Sequence, residues 1–125
     1  MEMPQEIEVW YVIPAIRRDI ATVLKSRGIK QTEVAKIMGI TKSAVTQYLN
    51  SKRAKDLKFS ENVKKEIEHA SKRINNPIDT IREIQYVLTI IRKENAICEL
   101  HKNMDKRLPS NCDVCFNVES NVTIN

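Results

Sequence analysis

Glycine is nearly missing from this chain of 125 residues: there are two, alongside four prolines. So few turn formers argue against a sheet joined by tight hairpins, which draw on Gly, Asn and Pro for their backbone angles, and favour helices. Long apolar runs are absent too. None approaches the roughly 18 residues that a membrane-spanning helix needs. The acidic opening "MEMPQEIEV" has neither the basic start nor the apolar stretch of a secretory signal. The three cysteines are an odd number gathered between positions 98 and 115, which is a poor disulfide framework. The expectation is therefore a helical, cytoplasmic protein with no membrane association. Its length suits one domain, or one small domain with an appendage, and a modest core.

Charge is present, and it is lopsided. Residues 1–60 carry eleven Lys and Arg against six Asp and Glu, whereas residues 61–125 carry ten of each. The whole net charge of +5 thus belongs to the first half. A basic half points to a polyanionic partner, usually nucleic acid.

Helical periodicity runs through most of the chain. "EIEVWYVIPAIRRDIATVLKSRGI" predicts a helix with Ile16, Ile20, Ala21 and Leu24 on one face. Pro14 would open a new helical segment or kink one, and Gly28 would stop the helix. "KQTEVAKIMG" predicts a short helix ended by Gly39, and "ITKSAVTQYLNS" a third with Thr41 as N-cap. Ser60 can cap a fourth, whose Val63, Ile67, Ala70 and Ile74 share a face. Asn76 and Pro77 can start a fifth, with a stripe of Ile78, Ile81, Ile84, Leu88 and Ile91 that Val87 and Ile90 widen. His69, alone on the fourth helix, reads as a surface residue.

The specific signal is "QTEVAKIMGITKSAVTQYLNSKRA", residues 31–54. Two short helices meet at a glycine-centred turn. Ala35 is small where they must cross closely, and Gly39 can take a positive φ. Val34, Ile40, Val45 and Leu49 are the expected buried contacts. That leaves Lys42, Ser43, Ala44, Thr46 and Gln47 on the outer face of the third helix, where a recognition helix presents side chains to base edges. This stretch, with its "Q-x-x-x-A-x-x-x-G-I-T" pattern, its "S-A-V-T-Q-Y-L" and its basic "SKRA", resembles the helix-turn-helix of the phage-repressor-like (XRE) family over about residues 14–55. The longer order resembles predicted archaeal transcriptional regulators: "E-I-E-V", "V-I-P-A-I-R", the repressor-like unit, and then a Cys/His-rich C-terminus.

The resemblance implies an all-α fold. It would be a repressor-like helix-turn-helix bundle (residues 1–60), then two further helices and a small Cys/His-rich segment from about 94 (together residues 61–125). It also implies double-stranded DNA as partner. Gln31 would bond a phosphate oxygen, and Thr41 and Lys42 would approach the backbone. Ser43, Ala44 and Gln47 would face bases; Gln47 suits adenine and Ala44 a thymine methyl. Tyr48, Asn50, Lys52 and Arg53 would follow as phosphate contacts, with Lys25, Arg27, Lys30, Lys55 and Lys58 adding to the field.

One such unit covers one half-site, so a homodimer is expected, with helix 77–93 as its surface. The C-terminus holds Cys98 and His101, then Cys112 and Cys115, two pairs each spaced by three. Three thiolates and one imidazole satisfy a closed, tetrahedral, structural zinc site. An iron–sulfur cluster is the alternative. The regulators that the chain resembles often carry a further cysteine pair upstream, where this sequence has Gln85, Tyr86 and Val87, which weighs against a four-thiolate cluster. No glycine-rich phosphate loop and no nucleophile–His–acid arrangement appears, so no enzyme is expected. The function expected is a sequence-specific transcriptional regulator, a homodimeric repressor with a metal centre in its C-terminal segment. The effector, if any, is open. The alternative is a bridging, coactivator-type module that contacts proteins of the transcription machinery.

Overall fold

The computed structural model describes residues 3–50 and 57–94. The described residues are helical and contain no strand. The chain opens with α1 (Pro4–Ile7), a π-helical segment (Glu8–Val12) and α2 (Ile13–Ser26), which follow one another without a break. Pro14 explains the π segment. Proline has no N–H, and in a regular helix its ring would collide with the carbonyl four residues back. The wider turn relieves that contact, and the Ile13 N–H donates to the Glu8 carbonyl, five residues back. The expected interruption at Pro14 is thus a local change of helical pitch. Ile7, Val12, Ala15, Ile16, Ile20, Ala21 and Leu24 turn inward.

Both glycines serve as helix ends. Gly28 closes α2 at φ 86°, and Gly39 closes α3 (Gln31–Met38) at φ 68°. After each, the next amide reaches back over a full turn: Ile29 N–H to the Leu24 carbonyl at 3.3 Å, Ile40 N–H to the Ala35 carbonyl at 3.1 Å. This closure uses a left-handed residue and satisfies carbonyls that the helix end would orphan. Thr41 then starts α4 (Lys42–Leu49), its Oγ1 accepting the Ala44 N–H at 3.0 Å.

Ser60 caps α5 (Glu61–Lys72) through the Val63 N–H, and Asn76 caps α6 (Pro77–Lys93) through the Asp79 N–H, with Pro77 at the first helical position. His69 is exposed on α5. The apolar faces of α5 and α6 close over α2 and α3, and a single core draws on residues from both sides of position 60. Residues before and after position 60 therefore share one core. Full burial of each aliphatic side chain contributes about 1.5–3 kcal/mol.

The inward stripe of α6 differs from the expected one. Ile84, Val87, Leu88 and Ile91 are buried, but Ile78 and Ile81 are 67% and 61% exposed, and Thr80 takes the inward position. The first turn of α6 meets the end of α3, where the Thr80 hydroxyl donates to the Ile37 carbonyl at 2.8 Å. A partly buried carbonyl favours a donor, and an isoleucine there would remove this one. Ile40 and Leu49, expected in the core, are half-buried at its edge. At the other end of α6, the Arg92 guanidinium grips the nearly buried Glu8 carboxylate with two hydrogen bonds of 2.7 and 2.9 Å. That bonding holds the Arg92 pKa above its ordinary value, against the opposing effect of burial.

The two glycines differ in their surroundings. A Cβ at Gly28 would meet open space, whereas one at Gly39 would lie 3.0 Å from the Pro77 Cβ. Gly28→Ala is expected to cost about 1–2 kcal/mol, the left-handed penalty alone. Gly39→Ala is expected to cost distinctly more, because Pro77 must also move. Urea midpoints of the two variants check the order, and equal midpoints would contradict it.

Candidate nucleic-acid interface

The surface of α4 divides cleanly. Val45 and Tyr48 point into the core, at 0% and 2% exposure. Thr41, Lys42, Ser43, Thr46 and Asn50 are exposed, and Ala44 and Gln47 are half-exposed beside them. The result is a polar edge with one cation at its N-terminal end and no carboxylate between residues 41 and 50. Hydroxyl and amide groups there can both donate and accept, which suits base edges, and Lys42 suits a phosphate.

A second helix contributes to this edge. Gln31, half-exposed at the start of α3, donates from Nε2 to the Thr46 Oγ1 at 3.3 Å. That hydroxyl in turn donates to the Lys42 carbonyl at 3.1 Å. Gln31 thus ties the first turn of α3 to the outer face of α4. Its amide retains a second N–H for a phosphate oxygen. Lys30, the N-cap residue of α3, makes no side-chain bond to the first turn of that helix. Such an end attracts anions. Thr46 is the residue that sequence reasoning undervalued. The helical repeat places it on the outer face, but only the fold shows that it holds Gln31.

One expected contact is corrected. Tyr48, read as a phosphate contact, is 2% exposed, so its ring is core packing and not surface. It sits three residues after Val45, on the same inner face of the helix. Lys25, Lys30 and Lys58 are exposed. Arg27 is exposed too, with Nη1 3.4 Å from the Ser71 carbonyl. Lys52, Arg53 and Lys55 lie outside the described residues, as do Cys98, His101, Cys112 and Cys115. Among the described residues, no group of His, Cys, Asp and Glu is placed to hold a metal ion, and no helix is long and apolar enough to cross a membrane.

Residues 20–61 match the family model described as helix-turn-helix, a span that runs from within α2 through α3 and α4 to the start of α5. The match supports a DNA-binding helix-turn-helix unit over that span. No curated protein and no solved structure matches the chain.

Tyr48→Ala should act on folding and not on DNA alone. Deleting a buried aromatic ring costs about 3 kcal/mol or more, so thermal melts of the free protein should shift strongly. A variant that melts like the wild type but binds DNA poorly would return Tyr48 to the surface role.

Proposed function

We propose that the chain, through the helix-turn-helix unit matched at residues 20–61, is a sequence-specific transcriptional repressor that binds double-stranded DNA as a homodimer. The observation that supports this best is the polar edge of α4, exposed from Thr41 to Asn50 and braced by Gln31. Seated in a major groove, the N-terminal part of α4 brings Ser43, Ala44 and Gln47 to base edges. Gln47 offers the paired donor and acceptor that adenine presents in return, and Ala44 offers a methyl to thymine. Gln31, Thr41, Lys42, Asn50, Lys52 and Arg53 fix position on the phosphates.

Random-pool selection with the full chain should recover a defined motif. Gln47→Ala should relax preference at one base position, at a cost of roughly 1–3 kcal/mol. Lys42→Ala should weaken binding to all sequences alike and lower the salt slope by about one. Recovery of no motif would favour the bridging, protein-contacting reading.

A pseudo-palindromic site needs a second copy, and the first turns of α6 offer a surface for it. Ile78 and Ile81 are exposed one turn apart beside Pro77, which abuts the turn between α3 and α4. A symmetric contact there joins two copies next to their recognition helices. Ile81→Asp is expected to give a folded monomer with reduced operator affinity. Ile84→Asp is expected to unfold the chain, because Ile84 belongs to the core. Light scattering and circular dichroism separate the two outcomes, and a wild type that stays monomeric at micromolar concentration, with and without DNA, would remove the dimer.

The donor set Cys98, His101, Cys112 and Cys115 supports one metal centre in the C-terminal segment. Zinc is the first choice, since three thiolates and an imidazole complete a tetrahedron, and an iron–sulfur cluster is the alternative. Protein purified without oxygen should carry about one zinc ion per chain, or be brown if the cluster is present. Metal-free protein with three freely titrating thiols would dismiss both.

A further inference from the structure

Among the described residues, the outer face of the first helix is left exposed. Met3, Val9 and Trp10 are 60%, 61% and 70% exposed, and Ile13 continues the same face, half-buried. These residues fall at near-helical intervals, so they form one strip and not scattered contacts. An isolated exposed apolar residue is ordinary, but a strip that includes a tryptophan is a surface built to be covered.

The strip lies far from the recognition edge. The end of α2 leads through Gly28 into Gln31, so the DNA-facing end of this helix is its C-terminus. Trp10 sits sixteen residues before Ser26, about 24 Å back along the rod. The last described residue, Glu94, lies at this same distal end. Glu94 is held by the Ser60 hydroxyl at 2.8 Å and the Asn62 amide at 2.6 Å. Two residues earlier, Arg92 is bonded to Glu8, the residue directly before Val9.

Thirty-one residues follow Glu94. Among them Ile97, Leu100, Met104 and Leu108 recur at steps of three, four and four, one face of a helix. Three residues of chain span up to about 10 Å, and Arg92, two residues before Glu94, already bonds the residue next to Val9. The charges also match. Besides Glu8, which Arg92 already holds, the first eight residues carry Glu2 and Glu6 and no Lys or Arg, whereas residues 97–108 carry Lys102, Lys106 and Arg107 against Glu99 and Asp105.

We propose that residues 97–108 dock in cis on the Met3–Val9–Trp10 strip, with Ile97, Leu100 and Met104 as the apolar contacts. A tethered segment meets the strip at an effective concentration in the millimolar range, an advantage that no second copy has. Docking there places Cys98 and His101 at the pole opposite the recognition edge. Any ligand that orders this segment would then act on the fold through the first helix and Arg92. The inference stands apart from DNA binding, and its test reads no DNA.

Trp10 is the one tryptophan in the chain and reports its own surroundings. In the full chain, the Trp10 emission should be blue-shifted and quenched by acrylamide severalfold less than a free indole, with both unchanged on dilution. Met104→Asp, and the double variant Leu100→Asp with Met104→Asp, should shift the emission to the red and restore quenching while far-UV circular dichroism retains the helices of the bundle. The proposal is overturned by a wild-type Trp10 that behaves as an open indole, by a protected Trp10 that both folded variants leave unchanged, or by protection that disappears on dilution. In that last case a second copy covers the strip.

Discussion

Position 39 is tight for anything larger than a hydrogen. A Cβ there would press on Pro77, and the left-handed backbone would strain any other residue. Much depends on this one crowded turn. It ends α3, turns the chain and lets Thr41 begin α4, which fixes how the recognition edge leaves the bundle. Because Pro77 starts α6, the same contact seats the second half of the chain on the helix-turn-helix. The Thr80–Ile37 hydrogen bond reinforces it from the buried side. α6 therefore braces the helix-turn-helix directly.

At the far end, Glu8 and Arg92 clasp the first helix to the last turn of α6. A carboxylate this buried is costly without its partner, so the clasp fixes register between two elements 84 residues apart. α6 thus spans the molecule, with the helix-turn-helix turn at its start and the exit of the Cys/His-rich segment at its end. A chain of this size has only a few kcal/mol of net stability.

The helices were legible in the sequence because their ends are chemically marked. Gly28 and Gly39 stop two, and Thr41, Ser60 and Asn76 cap three. The helix-turn-helix was legible because its turn, its small Ala35 and its polar edge follow a fixed order. Less legible was which apolar residues face inward. Ile78 and Ile81 fit the stripe of α6, yet they are exposed, because the Ile37 carbonyl selects a hydroxyl at position 80. Tyr48 read as surface because an aromatic phenol suits both a phosphate and a core, and only its place three residues after Val45 decides. The Gln31–Thr46 link joins residues fifteen apart and depends on the crossing of two helices, which spacing alone does not specify.

The central claim is that the exposed edge of α4, braced by Gln31, meets DNA. Amide chemical-shift mapping of the full chain, titrated with a duplex recovered by selection, tests it most directly. The account predicts that the largest changes cluster at Gln31 and at residues 41–47, with the side-chain amides of Gln31 and Gln47 shifting together and the amides of α5 nearly still. Changes centred on the first helix or on α5, with the α4 edge unmoved, would contradict it.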